Sequence, residues 1–419
     1  MQAENPHILR FPNRAGPAAK EHYIPLRRDE LVERLAATEG LGEREGQTLR
    51  SFAKMLAALL HREHHATLDE LKTDYAPFDP DSSDPPKVPG KLDEEFRERV
   101  FEKFGSLLER ANFRQLTADE IADALEANSR MGLRVDVNLD LFERLEIHVR
   151  GDIVGRWEVA GKFGKKQTVE VPLYERLAVI FRLRSDRPLP KGFKPGVITI
   201  KLFKNIPQAD IETVLPGPKV RMSWLDQAKI FAPTASGLAI AAFKLMKGAV
   251  VLAVTGIYGL LVLLGFVGGT VGYGVRSFFG YLNTKEKYQL ALTRSLYFQN
   301  LDNNAGVLFR ILDEAEEQDF REALIAWFVL WREAGSGGFT DRQIDEYAER
   351  MLHGWLSQAV DFEICDALSK LRRLGLAEQV GLDRWRATPL PVALVRLERA
   401  WNDLNPLRRQ SPPAAEQTG

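Results

Sequence analysis

The chain has a single cysteine, Cys365. Neither an intrachain disulfide nor a four-cysteine zinc site can therefore form, and a lone thiol fits a reducing compartment. Charge of one sign is also lacking. Lys and Arg number 57 against 58 Asp and Glu, a net charge of -1. That balance gives no general attraction to nucleic acid, so any basic patch has to be local. The first twenty residues contain no apolar run, which argues against a cleaved secretory signal. Residues 1–21 and the polar, proline-rich residues 405–419 read as disordered.

Familiar catalytic loops are missing as well. No G-x-S-x-G elbow and no H-E-x-x-H pair occurs. The stretch Gly161-Lys-Phe-Gly164-Lys165-Lys166 is not a phosphate loop, because Val159 stands where the earlier glycine would be and no Ser or Thr directly follows the lysine. It reads as a polar hairpin turn. Cys365 falls in an apolar-periodic helix and reads as a core thiol rather than a nucleophile.

What is present is one long uncharged run. Gly248 to Val275 is 28 residues without a charged side chain, and a helix needs roughly 20 to cross a bilayer core. Ile230 to Phe243 is uncharged for 14 residues. Two arrangements follow: a membrane hairpin within 228–278, with helices at about 230–246 and 249–275, or a single span preceded by an interfacial helix. The hairpin puts both water-facing parts on one side. Lys219, Arg221 and Lys229 before it, and Arg276, Lys285 and Lys287 after it, make that side cytoplasmic, although Lys244 and Lys247 in the turn oppose this. Gly265, Gly268, Gly269 and Gly272 form two small-xxx-small pairs suited to close helix packing. The alternative is that glycine is simply frequent in membrane helices.

The remainder divides by period. Residues 22–139 read as helical, interrupted at Ala76–Gly90 by five prolines. Thr117 with Glu120 is a capping-box signature. Residues 140–216 carry strand patterns at Glu143–Val149, Val169–Leu173, Leu177–Leu183 and Val197–Phe203, predicting a small, half-exposed antiparallel sheet, then a short helix at Pro207–Leu215. Residues 286–404 return to helical spacing. There Thr340 and Gln343 form a second capping box, and the helix Phe362–Leu374 precedes a hairpin of Leu376–Val380 and Arg384–Ala387. A last helix, Val392–Leu404, completes the order of a winged-helix module.

Polar groups concentrate in Asn300-Leu-Asp302-Asn303-Asn304. One reading is a polar site of Asp302, Asn303 and Asn304 with Glu314 and Glu317 of the following helix, able to take a divalent cation. The other is helix capping and turn hydrogen bonds, with the glutamates on a solvated face. No metal is assigned. His61 and His65 share a helix face but lack further ligands. Within the third helix of the winged unit Asp361, Glu363 and Asp366 offset Lys370, Arg372 and Arg373, so protein–protein contact or intramolecular packing is favoured over nucleic acid.

Several segments resemble the transmembrane protein 143 family, whose domain has no assigned function. They are HYIPLRRDELVERL, ANFRQLT, LFERLEIHVRGD, KLFKNIPQADIETVLPG, GYGVRSFFGYLNTKEKYQL and the long run from Arg294 to Ile325. The resemblance covers about residues 20–405. It implies two transmembrane helices and supplies no catalytic residue.

The expected fold is an α+β membrane protein: a helical N-terminal region, a small sheet, a transmembrane hairpin and a winged-helix-like C-terminal domain. The expected location is a bacterial inner membrane, multi-pass, with both water-facing regions cytoplasmic. The expected function is a membrane-anchored scaffold or sensor that binds a protein partner or a second copy of the chain, without a cofactor. A metal-assisted hydrolase is the alternative, and an oligomeric transporter component a weaker one.

Overall fold

The computed structural model describes residues 11–12, 22–84, 86, 93–126, 134–160, 166–217, 219–221, 296–356, 359–381 and 383–404. Its centre is a long antiparallel hairpin of β4 (Phe142–Ala160) and β5 (Lys166–Leu183), in register from Leu145↔Phe181 to Ala160↔Lys166. On the far side of β5 lies β6 (Ile198–Pro207), and β8 (Asn300–Asn303) pairs with β6. The outer edge of β4 is met by β1 (Phe11–Pro12) and β2 (Arg114–Gln115). A separate pair joins β3 (Arg134–Asp136) to β7 (Lys219–Arg221).

Strand β5 is apolar on both faces through Leu177-Ala-Val-Ile-Phe181, the pattern of a strand covered on both sides. Ala178 and Ile180, with Ile200 and Leu202 of β6, pack under α3 (Asp93–Arg110) and the start of α5 (Ala305–Glu333). Leu177, Val179 and Phe181 face the opposite way. They are covered by a 3-10 segment, Gln208–Val214, and by Ile121 of α4 (Ala118–Glu126). The expectation of a half-exposed sheet is corrected on this point.

A third core joins α1 (Arg28–Ala36) and the first half of α2 (Glu43–Tyr75) to the second half of α5. It also takes in α6 (Asp341–Trp355), α7 (Ile364–Arg373) and α8 (Leu390–Asp403). Helix α5 has 29 residues and is roughly 43 Å long. Its Val307–Ala315 half lies on the sheet core and its Phe320–Leu330 half in the helical core. Helix α2 is shared in the same way, through Leu49–Leu60 and then Leu68–Tyr75. Next to α6, strand β9 (Phe339–Thr340) pairs with β11 (Arg384–Ala387), which pairs with β10 (Ala377–Val380).

Both capping boxes form. The amide of Glu120 donates to Thr117 Oγ1 at 3.2 Å and that of Thr117 to Glu120 Oε2 at 2.8 Å. Gln343 N donates to Thr340 Oγ1 at 3.3 Å and Thr340 N to Gln343 Oε1 at 3.0 Å.

The membrane reading is corrected. Among the described residues no helix is long and apolar enough to cross a membrane. The reason is visible in α5, where the apolar run Ala323–Trp331 is bounded by Arg321 and Glu322 on one side and Arg332 and Glu333 on the other. The hairpin assigned to about 230–246 and 249–275, with Gly265, Gly268, Gly269 and Gly272, lies outside the described residues. A multi-pass fold and an inner-membrane location are therefore unsupported. Within the stretch read as disordered, Phe11–Pro12 form a strand on β4; the rest of 1–21 and all of 405–419 lie outside the described residues.

Candidate functional site

Between its two apolar halves α5 carries a belt of buried polar groups: Glu316, Gln318, Asp319, Arg321 and Glu322. Asp319 and Glu322 fall on the same helical stripe as Leu308, Leu312, Ala315 and Ala326, so the helix turns them inward. His64 holds the equivalent place on α2, between Leu60 and Leu68. Asp319 is 1 % exposed and His64 0 %.

Four helices converge on the Asp319 carboxylate. Lys370 of α7 donates to Oδ1 at 2.6 Å and Arg110 of α3 to Oδ2 at 2.7 Å. His64 Nε2 lies 2.9 Å from Oδ2 and 3.0 Å from Arg110 Nη2. Burial raises the Asp319 pKa, but the His64 hydrogen bond and the Lys370 and Arg110 charges outweigh it and hold the carboxyl well below the usual range. Glu322, one turn on, is the opposite case. Burial pushes its carboxyl up to about 8, although Lys370 Nζ stands 3.9 Å away. Asp319 is thus an anion and Glu322 a neutral acid at neutral pH.

The belt also fastens the incoming chain. Gln318 accepts from Ile24 N at 3.2 Å and donates to Glu322 at 2.8 Å and to the His22 carbonyl at 3.3 Å. Asn112, at a left-handed φ of 57°, donates to that same carbonyl at 2.8 Å.

At the outer end of the belt a cleft of about 1000 Å³ opens between α1, α2 and α5. Its floor holds Glu316, Glu317, Arg321 and Phe320. Arg28 donates to Glu316 at 3.0 Å and lies 2.7 Å from Glu317; Arg321 donates to Glu317 at 2.9 Å, and His61 Nδ1 lies 2.8 Å from Glu316. The rim pairs Arg27 with Asp29 and Arg50 with Glu33. Val32, Ala53, Ala57 and Ala58 supply apolar wall.

The residues proposed from the sequence as one polar site are not brought together. Asn304 is buried at φ 50° and makes no side-chain cap. Instead its Oδ1 accepts from Ile200 N at 3.2 Å and its Nδ2 donates to Asp81 at 2.7 Å. Asp302 accepts from the amide of exposed Asn303 at 2.9 Å. Glu314 is held by Arg150 at 2.6 Å and Arg176 at 3.5 Å. Glu317 lies in the cleft, roughly 20 Å along the helix from Asn304. Among the described residues no group of three or more His, Cys, Asp or Glu is arranged to hold a metal ion. Cys365 is exposed, which corrects the core-thiol reading: α7 turns Ala367, Leu368 and Leu371 inward instead.

The sequence reading gave no role to His64, Arg110, Asp319 and Glu322, and took Lys370 only as part of a charge balance. The available signal was an ionisable residue on an otherwise apolar stripe, at His64 and again at Asp319 and Glu322.

A family model described as "Protein of unknown function (DUF3754)" matches residues 174–306, less than half of the chain. The match begins in β5, takes in β6 and β8, and ends at the first residues of α5. No solved structure matches the chain.

Proposed function

We propose that the protein is a non-catalytic scaffold or sensor that binds a protein partner. The observation carrying this reading is how the buried charges are engaged. Asp319, His64, Arg110 and Lys370 face one another across four helices, and none of the four lines the cleft. A catalytic centre needs convergent polar groups open to substrate; here they fix how α2, α3, α5 and α7 meet.

The C-terminal unit supports protein contact over nucleic acid. Its elements run in the winged-helix order, with the strands arranged β10-β11-β9. In α7 Lys370 is engaged by Asp319, and Arg373 by Glu63 of α2. These two cations are paired within the chain, Lys370 in the interior and Arg373 at the surface, whereas a DNA-reading helix needs its cations for phosphates. Val392 and Val395 of α8 are 45 % and 44 % exposed and neighbour each other on the helix, which offers an apolar contact. The resemblance to the transmembrane protein 143 family adds no catalytic residue to this reading.

The test is reconstitution. A protein cross-linked to the full chain in extract should rebind the purified chain stoichiometrically, and Val392→Glu with Val395→Glu should abolish the complex. Light scattering of the purified chain separates a second copy from a different partner. Steeply salt-dependent binding to duplex DNA, or hydrolytic turnover that Asp319→Asn removes, would replace the proposal.

A further inference from the structure

The segment His22–Leu26, just ahead of α1, forms neither helix nor strand, yet it lies against several elements at once. Ile24 and Leu26 are buried in the helical core. The Arg150 guanidinium of β4 lies over the Tyr23 ring at 4.0 Å, and that of Arg321 of α5 at 5.6 Å. The His22 imidazole stands 3.3 Å from Glu363 and 3.8 Å from Asp361, just ahead of α7. The segment therefore bridges the sheet, α5 and the C-terminal unit.

Its backbone is held through buried Glu322. The His22 carbonyl and Glu322 Oε1 share two donors. Asn112 Nδ2 donates to the carbonyl at 2.8 Å and to Oε1 at 3.3 Å; Gln318 Nε2 donates to the carbonyl at 3.3 Å and to Oε1 at 2.8 Å. Two amide groups thus hold two oxygens in one ring, and Gln318 Oε1 accepts from Ile24 N at 3.2 Å. The ring suits a neutral acid. An ionised Glu322 draws both amides from the carbonyl, because charge-assisted hydrogen bonds are the stronger ones, and sets its charge against the carbonyl oxygen. The cations nearby are committed elsewhere. Lys370 Nζ, 3.9 Å from Oε2, is 2.6 Å from Asp319, and Arg110 and His64 are turned to Asp319 as well. Asp319 and Glu363 add repulsion. A buried carboxylate is costly. Water reaches it with few broken hydrogen bonds by lifting a segment that belongs to no helix or strand.

We propose that His22–Leu26 is a proton-operated latch: it stays closed over Glu322 while that carboxyl keeps its proton and lifts when the carboxyl ionises. Burial raises the Glu322 carboxyl to about 8 from an ordinary 4.5. A raised carboxyl favours the closed form fully below the lower value, and that preference is lost as pH rises to the higher one. The His22 pair works in the same direction, since it needs the imidazolium, but it is half exposed and screened. Burial of Ile24 and Leu26 opposes opening, so the open form is a minor population. The latch uses none of the α8 residues of the partner contact, and either reading can fail alone.

Hydrogen exchange at single amides of the full chain tests it, each rate being referred to that of an unstructured chain at the same pH. Ile24 reports the latch, and buried Val179 of β5 reports global unfolding. Opening at Ile24 should exceed opening at Val179. It should rise by up to about tenfold per pH unit until about pH 8 and then level off, the limit for one proton. Glu322→Gln keeps the accepting oxygen without a proton to lose and should flatten most of this rise, whereas His22→Gln should keep it. Asn112→Gly retains the left-handed backbone but removes one donor of the ring, so it should raise opening at Ile24 at every pH, and by more than at Val179. Equal opening at Ile24 and Val179, opening at Ile24 that ignores pH or Asn112→Gly, or a rise that survives Glu322→Gln or vanishes in His22→Gln would each overturn the proposal. The unfolding midpoint of every variant is checked, so a collapsed protein is not mistaken for an open latch.

Discussion

Lys370 Nζ lies 2.6 Å from Asp319 Oδ1, and this contact ties the third helix of the C-terminal unit to the helix that also carries the sheet core. Asp319 neutralises Lys370 and Arg110 together, so the three groups are not equivalent. Asp319→Asn leaves two cations facing each other in the interior and should cost roughly 3–5 kcal/mol. Lys370→Met leaves Asp319 with Arg110 and His64 and should cost clearly less. Urea unfolding of the two variants and of the double variant reads this directly. A loss for Asp319→Asn within about 0.5 kcal/mol, as at an ordinary surface site, would show that the contact does not hold the helices.

Glu322 sets a pH dependence of definite sign. Its pKa in the fold is about 8 against an ordinary 4.5, so it is neutral in the folded chain and ionised in the unfolded one across that window. A raised carboxyl contributes stability that is complete below the unfolded pKa and is lost as pH rises through the folded one. Stability should therefore fall between about pH 4.5 and 8, by up to about 1.4 kcal/mol per pH unit from this group. Glu322→Gln keeps the neutral shape and removes the proton. Its unfolding midpoint should fall less steeply over that window, and its advantage over the natural chain should grow toward pH 8. Parallel pH profiles for the two proteins would contradict the burial argument.

Asp302 and Gly306 are coupled through space. A Cβ built on Gly306 would collide with the Asp302 carboxylate, which is held by the Asn303 amide. Gly306→Ala alone should destabilise, because the displaced carboxylate loses that bond. With Asp302→Ala already present the same change should stabilise by up to about 1 kcal/mol, since alanine is the better helix former. The double-mutant cycle gives the coupling, and a Gly306→Ala effect of the same sign in both backgrounds would refute it.

Much of the local structure was legible because its signals are local. Thr117 with Glu120 and Thr340 with Gln343 announce helix starts through short-range hydrogen bonds, and the turn around Gly381 announces the β10–β11 hairpin. Strand lengths were less so. The apolar alternation of Val169–Leu173 and Leu177–Leu183 suggested separate strands, yet one strand runs from Lys166 to Leu183. Charged Glu175 and Arg176 interrupt the apolar pattern and the pairing skips Glu175, yet the register is the same on either side, so the strand continues. The central cluster was legible only as single ionisable residues on apolar stripes, His64 and Asp319, and not as a cluster. His64, Arg110, Asp319 and Lys370 lie up to 306 positions apart in sequence numbering, and only the packing of four helices brings them together. The Asn300–Asn304 cluster misled in the other direction: density of amides in sequence suggested a common site with Glu314 and Glu317, while Asn304 turns to Ile200 and Asp81, Glu314 to Arg150, and Asp302 only to the neighbouring Asn303 amide.

Asn304 shows that difference most sharply and yields the last prediction. Position alone makes it the N-cap of α5, and a cap predicts that its side chain bonds to the helix that follows. Its side chain instead reaches back to β6, accepting from Ile200 N and donating to Asp81, at a left-handed φ of 50°. Asn304→Ala therefore removes the acceptor of a buried backbone amide and also puts alanine at positive φ. A loss of roughly 1–3 kcal/mol follows from the unsatisfied amide alone. Asn304→Gly loses the same bonds but relieves the backbone, so it should be less harmful than alanine despite the greater freedom of the unfolded chain. Asn303→Ala, at an exposed position with its amide still donating to Asp302, should stay within about 0.5 kcal/mol. Thermal or urea unfolding of the three variants orders them as Asn303→Ala mildest, Asn304→Gly next and Asn304→Ala worst. Equal losses at 303 and 304 would restore the capping interpretation. Added magnesium or calcium should shift none of the midpoints, because Asn304 is turned away to Ile200 and Asp81 and Asp302 accepts from the Asn303 amide; a shift in the natural chain that Asp302→Asn abolishes would bring the cation reading back.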